Sequence, residues 1–271
     1  MNKYNITIGS DPEIFIENQQ GEVVSAIGLV PGNKNEPHAI DEEGHFIQTD
    51  NIALEYNIPS CKTEDEFVYH IQYVKDYLEA IVVANGYKLS SKASAEVDEQ
   101  YLQDPQAKVF GCEPDLNPYL QSINDTPNTN TNLRCVGGHI HIGYIDQFEY
   151  NQETSEKIVK AFDIFCALPS LLIDNDDRRR ELYGKAGAFR FKEPWGVEAR
   201  VLSNFWIHSE ELIRWIYRQT IKAVECVLDD KIDDLINNYS EKVVEAINTN
   251  NKILAEELLQ EIFAEEEILI N

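Results

Sequence analysis

Apolar and polar residues alternate along several stretches of the chain with the two-residue period of β-strands. The clearest stretches lie at 6–16, 52–58, 136–144 and 195–203. Because successive strand side chains point to opposite faces, each stretch places aliphatic residues on one face and ionisable residues on the other. The pattern predicts a sheet with one apolar face and one polar face.

Other stretches follow the helical period. Residues 64–85 carry apolar side chains on one face, after a capping-box pattern formed by Thr63 and Glu66. A second helix is expected near 152–173, with Pro169 as a candidate interruption, and a third over 209–228 within a helical C-terminal region. No internal repeat or linker divides the chain, so the pattern predicts one α+β domain.

Charge narrows the range of partners. The chain has 271 residues, with 23 Lys and Arg against 48 Asp and Glu, and its net charge is −25. Such a charge repels nucleic-acid backbones and anionic membranes, so we expect neither as a partner, although a local basic cluster or a metal could still bind one nucleotide. The five cysteines form no disulfide pattern and the N-terminus has no apolar signal core, which favours a cytoplasmic location. Cys112 could serve as a nucleophile, but inert packing is the commoner role of a lone cysteine.

Four predicted strands carry pairs of polar residues two positions apart, and these are the candidate chemistry. The pairs are Asp11 and Glu13, Glu55 and Asn57, His139 and His141, and Glu198 and Arg200. Each pair alone would suit an ordinary half-exposed sheet. Together they concentrate acids on one face, which costs free energy unless cations lie among them. Carboxylates with one or two imidazoles suit Mg²⁺ or Mn²⁺ better than structural zinc.

A basic cluster lies at 176–190, where four Arg and one Lys occur within fifteen residues. It is either a solvated turn paired with nearby acids or an anion site, because planar guanidinium groups bind phosphate and carboxylate in two-point fashion. Gly184 and Gly187 would let the backbone approach a ligand and would allow the segment to close over it. The cluster alone does not decide between these readings.

The order of the short motifs resembles a known enzyme family. The motifs are Gly9-x-Asp-x-Glu13, Asp50-Asn-x-x-x-Glu55, His139-x-His-x-Gly143 and Gly196-x-Glu-x-Arg200, joined by the blocks 182–190 and 196–206. Across residues 5–210 the chain resembles the carboxylate–amine ligases of the glutamate–cysteine ligase and glutamine synthetase superfamily, in particular the phage-type COOH–NH2 ligases. The resemblance implies a curved antiparallel sheet with an active site on its inner face and helices on its outer face. It also implies a catalytic domain at 1–210, with a helical segment at 211–271 packed on it.

The resemblance further implies ATP, several Mg²⁺ ions (with Mn²⁺ as an alternative) and an amide bond formed through an acyl phosphate. The implied metal ligands are Asp11, Glu13, Glu55, Glu198 and His141; the implied catalytic residues are Arg178, Arg190 and Arg200; the implied nucleotide contacts are His139, Arg180, Lys185 and Arg200. Asp11 departs from the family's Glu, and His139 is an open second candidate for metal binding. The expected partners are small-molecule or peptide carboxylates and amines, with a homo-oligomer left open, in a bacterial host cytoplasm if a phage encodes the protein.

Two other functions stay open at this stage. The His-x-His motif also occurs in metal-dependent amide hydrolases, but these need further metal-binding histidines, and His38, His45, His70 and His208 fall in no convincing strand-end motif. A non-catalytic relative could instead bind a nucleotide or peptide. ATP-dependent turnover would separate the ligase from both alternatives.

Overall fold

The computed structural model describes residues 2–108, 115–124, 131–144 and 150–263, and Cys112 therefore lies outside the described residues. The strands are β1 (Thr7–Ser10), β2 (Glu13–Ile14), β3 (Ile16–Glu17), β4 (Val23–Val24), β5 (His38–Ala39), β6 (Phe46–Asp50), β7 (Ala53–Asn57), β8 (Lys88–Leu89), β9 (Ser94–Glu96), β10 (Leu116–Asn117), β11 (Ser122–Ile123), β12 (Leu133–Cys135), β13 (Ile140–Gly143), β14 (Phe189–Lys192) and β15 (Gly196–Ala199). The helices are α1 (Glu64–Ala84), α2 (Pro105–Lys108), α3 (Gln152–Phe162), α4 (Leu168–Ile173), α5 (Glu210–Leu228), α6 (Ile232–Thr249) and α7 (Lys252–Ile262).

These strands form four antiparallel sheets. The largest has six strands in the order β1-β13-β15-β14-β10-β11, and a four-stranded sheet has the order β2-β7-β6-β5. Strands β4, β3 and β8 form a third sheet, and β12 pairs with β9. Antiparallel sheets combined with helices confirm the predicted α+β class.

The alternating stretch 6–16 contributes to three different sheets rather than to one strand. It is divided into β1, β2 and β3, with Asp11 and Pro12 between the first two. Proline has no N–H to donate to a ladder, so a strand ends readily there. The break places Asp11 where the six-stranded sheet passes into the four-stranded one.

Helix α1 begins as its sequence predicts. Thr63 Oγ1 accepts a hydrogen bond from the Glu66 N–H at 3.2 Å, and the Glu66 carboxylate accepts one from the Thr63 N–H at 3.1 Å. Pro169 does not interrupt the second predicted helix, because α3 continues through a π-helical turn at Asp163–Ala167 and Pro169 lies in the first turn of α4. The π-helical turn lies directly before Pro169, where the backbone departs from the regular α-helical hydrogen-bond pattern that a proline cannot complete.

One apolar core joins the N-terminal strands to the C-terminal helices. It extends from Ile6 to Leu259 and includes the buried side chains of α1 and α5. Helix α5 packs against α1 and α3, and α7 packs against α4 and α6. Among the described helices, none has the length and apolar composition needed to cross a membrane.

Candidate active site

A row of charged side chains crosses the middle of the six-stranded sheet. His141 of β13 lies directly opposite Glu198 of β15, and Glu198 lies directly opposite Arg190 of β14. Side chains at paired positions share one face and lie next to each other. We call His141, Glu198 and Arg190 the charged row; it places a carboxylate between two nitrogen-bearing side chains.

Asp11 completes a three-residue cluster with two members of the charged row. Its Oδ1 lies 3.3 Å from His141 Nε2 and 3.2 Å from His139 Nδ1. Ligand atoms of Asp11, His141 and Glu198 all lie within 4.8 Å of one another. Burial raises the pKa of Asp11, but the two imidazoles outweigh it and hold that pKa well below its usual range. Asp11 is therefore an ionised carboxylate at the junction of two sheets.

Arg200 lies just beyond the end of β15 and still reaches the charged row. Its guanidinium donates to Glu198, donates through Nε to Asp115 Oδ1 at 2.7 Å, and has one terminal nitrogen 3.2 Å from His139 Nδ1. Lys192 Nζ lies 2.6 Å from the second oxygen of Glu198. Burial and the Asp11 charge raise the pKa of Glu198, yet the cations around it outweigh them and lower that pKa. Strand β15 covers only Gly196–Ala199 of the predicted stretch 195–203, so Arg200 lies outside it. Glu198 and Arg200 are nevertheless in contact.

Glu13 and Glu55 form a second group of acids, next to the cluster of Asp11, His141 and Glu198. Glu13 and Glu55 lie directly opposite each other on β2 and β7. Glu13 accepts a hydrogen bond from the Gly137 N–H at 2.7 Å, and Glu55 accepts one from Gln48 Nε2 at 2.7 Å. Burial, followed by the charges of neighbouring acids, raises the pKa of Glu55 well above its usual value, and burial raises that of Glu13. This pair is a buried concentration of negative charge that a bound cation would stabilise.

A cleft opens beside these groups. Its polar lining includes Glu13, Asp50, Asp115, His139 and Arg200. Arg134, Arg179 and Asn51 add further polar groups, and apolar side chains that include Phe15, Ile52 and Val136 complete the lining. The cleft thus gives a ligand access to Glu13, His139 and Arg200.

Apart from Arg190, which belongs to the charged row, the basic segment, residues 176–190, has a different environment. Arg179 is buried and donates to the backbone carbonyls of Val136, Val201 and Arg200 at 3.0, 2.9 and 3.3 Å. Arg178 is partly exposed and pairs with Glu96 at 2.9 Å and with Glu181 at 3.0 Å. Both guanidinium groups therefore have protein partners already.

Arg180 and Lys185, which the motif resemblance assigns to nucleotide binding, also face other parts of the protein. Arg180 is 8% exposed and faces acidic residues that include Asp174, while burial and the neighbouring Arg179 lower its pKa. Burial, followed by the Arg180 charge, also lowers the pKa of Lys185, whose Nζ lies 3.5 Å from the Asn248 carbonyl of α6. The structure thus brings Asp11, His139, His141, Glu198, Arg190 and Arg200 together, whereas the described contacts of Arg178 and Lys185 lie elsewhere.

Gly184 and Gly187 hold the basic segment tightly. Both have left-handed backbones, with φ of 73° and 72°. A Cβ added at Gly184 would lie 2.1 Å from an Arg179 nitrogen, and one at Gly187 would lie 2.8 Å from Pro118 and Tyr119 atoms. Both glycines therefore meet a need for left-handed backbone and close packing, and the expectation that they allow the segment to close over a ligand stays a prediction.

Three contacts at the site were not expected from the sequence. Lys192 shares a face of β14 with Arg190, and the same two-residue spacing that marked the other pairs could have identified it. Gln48 is found only through the pairing of β6 with β7. Asp115 directly precedes β10, and no local sequence pattern distinguishes it.

Solved structures of other proteins share the fold of this chain. The GmaS/ADP complex (conformation 1) matches with a TM-score of 0.50 and 10% sequence identity over 95% of this chain. The chain spans 64% of the length of that protein, less than two thirds of it. A bifunctional glutathione synthetase from Pasteurella multocida matches with a TM-score of 0.49 and 11% identity, covering 97% of this chain and 50% of that one. At 10% identity the match to GmaS shows a shared α+β fold.

The family follows from the sequence match. Residues 129–264, half of the chain, match the model of the phage phiEco32-like COOH.NH2 ligase, type 2, and the chain belongs to that family. The match contains His139, His141, Glu198 and Arg200, and it extends past residue 210, where the motif resemblance ended, into α5–α7. A search of curated protein sequences finds no match.

Proposed function

We propose that this family member is an ATP-dependent ligase that joins a carboxylate to an amine through an acyl phosphate. The observation that carries the proposal is the convergence of acids from separate strands on one buried cluster with Arg200. Phosphoryl transfer needs little covalent help from protein, but it needs bound cations, positive side chains at the transferred group and shelter from water. The cleft beside Glu13, His139 and Arg200 combines these features.

The residues present fit divalent metal ions. Asp11, His141 and Glu198 have the spacing for one ion, and Glu13 and Glu55 provide a second carboxylate pair. Oxygen-rich sites of this kind suit Mg²⁺ or Mn²⁺. Such ions, when bound, would offset the negative charge of the phosphates. The raised pKa values of Glu13 and Glu55 support this assignment, because burial and, after it, the charges of neighbouring acids disfavour the ionised forms, which a bound cation would favour.

The cationic side chains would act on the phosphates. Arg200 is held by Asp115 and Glu198, so its guanidinium has a fixed direction before a ligand arrives. Its planar group matches a transferring phosphoryl group and would stabilise the charge that develops there. Arg190 and Lys192 flank Glu198 on β14, and His139 completes the contacts of Arg200. The predicted roles of Arg178, Arg180 and Lys185 stay predictions; for Arg178 the role requires exchange of its two carboxylate partners for a substrate anion.

The reaction balances as follows. A carboxylate oxygen attacks the γ-phosphorus of ATP, the bond to the bridging oxygen breaks, and ADP leaves with that electron pair. The amine then attacks the acyl carbon, and phosphate departs with the original carboxylate oxygen and the electron pair of the broken bond, while the nitrogen loses one proton to phosphate or solvent. The products are an amide, ADP and phosphate, so no side-chain nucleophile is needed.

The test is a screen of amino acids and peptides with ATP and Mg²⁺, using oxygen-18 in the carboxylate. We expect labelled phosphate together with ADP and an amide product by mass spectrometry. Labelled AMP would mean that the carboxylate is adenylated and would contradict the acyl-phosphate route. Amide cleavage without ATP would instead support a hydrolase.

A further inference from the structure

A second group of metal-binding side chains lies between the loop before β6 and helix α1. Ligand atoms of Glu43, His45 and His70 all lie within 4.8 Å of one another. His45 is fully buried, His70 is half-buried and Glu43 is exposed. Residues 25 positions apart meet here, which explains why no sequence motif revealed the group.

Asp41 fixes both the loop and the His45 ring. One oxygen of Asp41 accepts the Glu43 N–H at 2.9 Å and the His45 N–H at 3.4 Å. The other lies 2.7 Å from His45 Nδ1. Because an ionised carboxylate only accepts hydrogen bonds, the proton of the His45 ring lies on Nδ1. The lone pair of His45 is therefore on Nε2, on the side facing His70. In known metal sites, a carboxylate that accepts a hydrogen bond from the second ring nitrogen orients the metal-binding imidazole in the same way.

The two imidazoles are close enough to share an ion. His45 Nε2 lies 2.7 Å from His70 Nδ1. Two nitrogens on one tetrahedral zinc ion are separated by roughly 3.3 Å, given a Zn–N length of about 2.0–2.1 Å. Binding would therefore require a small outward movement of the half-buried His70 ring. The rings of Tyr69 and Tyr73 pack against His70 and His45, with centroid distances of 5.1 and 4.9 Å, and support the two imidazoles.

We propose that Glu43, His45 and His70 bind one borderline divalent transition ion of the zinc class, with Asp41 as the positioning carboxylate. Two nitrogen donors and one carboxylate favour such an ion over Mg²⁺. The ion joins the loop before β6 to α1 and is separate from the candidate active site. The proposal does not depend on the proposed function.

The experiment is titration with Co²⁺, read by visible absorption, and with Zn²⁺, read by thermal unfolding. Both are done in excess Mg²⁺ and in the Glu198→Gln background, so that the candidate active site does not contribute. His70→Gln removes a ligand from the half-exposed rim, where the fold tolerates change better than at buried His45. His38→Gln is the matched control, because His38 is an exposed histidine of β5 outside the group.

We expect one Co²⁺ per chain and a rise in Tm with Zn²⁺ in the background protein and in His38→Gln. His70→Gln should bind at least about 100-fold more weakly, since even the loss of an outer-shell partner costs about 10- to 100-fold. Asp41→Asn, which changes only such a partner, should bind about 10-fold more weakly. Failure of the background protein to bind Co²⁺, or equal affinity in His70→Gln and His38→Gln, would overturn the proposal. A simple hydrogen bond between the two histidines would then explain the geometry.

Discussion

The charged row and the basic segment are both rich in charge, but their charges have different partners. In the charged row, Glu198 is in contact with Arg200, just beyond its own strand, and with Lys192 of the neighbouring strand β14. In the basic segment, Arg179 is bound to three backbone carbonyls and Arg178 to two surface carboxylates. Carbonyl partners fix the Arg179 side chain, whereas the carboxylates of Asp115 and Glu198 fix the direction of the Arg200 guanidinium.

The comparison shows that the local density of arginine does not by itself identify an anion site. Arg179 and Arg200 are both almost fully buried, with 4% exposure each. Both also line the cleft. They differ in their partners, because Arg179 donates to backbone carbonyls whereas Arg200 donates to the carboxylates of Asp115 and Glu198. The following predictions test that division.

The largest effect is expected at the centre of the charged row. Glu198→Gln keeps the shape of the side chain but removes the charge that a metal ion would need. We expect turnover to fall on the order of 10³-fold, with the fold intact. The measurement is amide formation, with circular dichroism to verify folding.

Glu181→Gln is the control for that substitution. Glu181 is an acid of the basic segment that pairs with Arg178 at the surface. Its loss should leave turnover within about twofold, because exposed ion pairs contribute little. Equal losses in the two variants would remove the distinction between the regions.

The free energy of unfolding should depend on pH through Asp163, which lies beneath the basic segment. Asp163 is fully buried, and its Oδ2 accepts the Gly187 N–H at 2.6 Å. Burial raises the pKa of Asp163 to about 7. The folded protein therefore keeps this proton at pH values where the unfolded chain, with a pKa near 4, has lost it. The stabilisation is complete below pH 4 and is lost as the pH rises through 7.

Urea unfolding at pH 5 and pH 8 measures this effect. The wild type should lose about 3 kcal/mol more free energy of unfolding over that range than Asp163→Asn, which cannot ionise. Asparagine retains an oxygen for the Gly187 N–H, so the variant should fold. Parallel pH profiles for the two proteins would show that Asp163 is ionised throughout.

A smaller effect separates the two buried arginines. Arg179→Lys leaves some of the three carbonyls without a donor and should lower the free energy of unfolding by about 2 kcal/mol. Arg200→Lys keeps the charge but loses the planar two-point contact, so its main effect should be on kcat rather than on stability. The pair is compared by urea unfolding and steady-state kinetics. A larger kinetic defect in Arg179→Lys would reverse the assignment of the two residues.

Much of this architecture follows from local pattern, and the rest does not. The capping box of Thr63 and Glu66 depends on neighbours in the chain, so it is visible in sequence. The polar face of β13 and β15 is visible for the same reason. By contrast, Gln48 beside Glu55 depends on strand pairing, and the meeting of His45 with His70 depends on helix packing. The division of 6–16 into three sheets also required the structure, because one alternating pattern suits one strand or several.

The smallest effect is expected at the surface of the basic segment. Arg178→Gln removes contacts with Glu96 and Glu181, all three of them at least partly exposed. Solvent and side-chain entropy offset most of the attraction in such pairs, so the free energy of unfolding should change by less than about 1 kcal/mol. The kinetic result matters more, because the motif resemblance gives Arg178 a catalytic role. If Arg178 exchanges its carboxylate partners for a substrate anion, the KM for the carboxylate substrate should rise and should depend strongly on salt. If the basic segment is only structural, KM and kcat should match those of the wild type at every salt concentration.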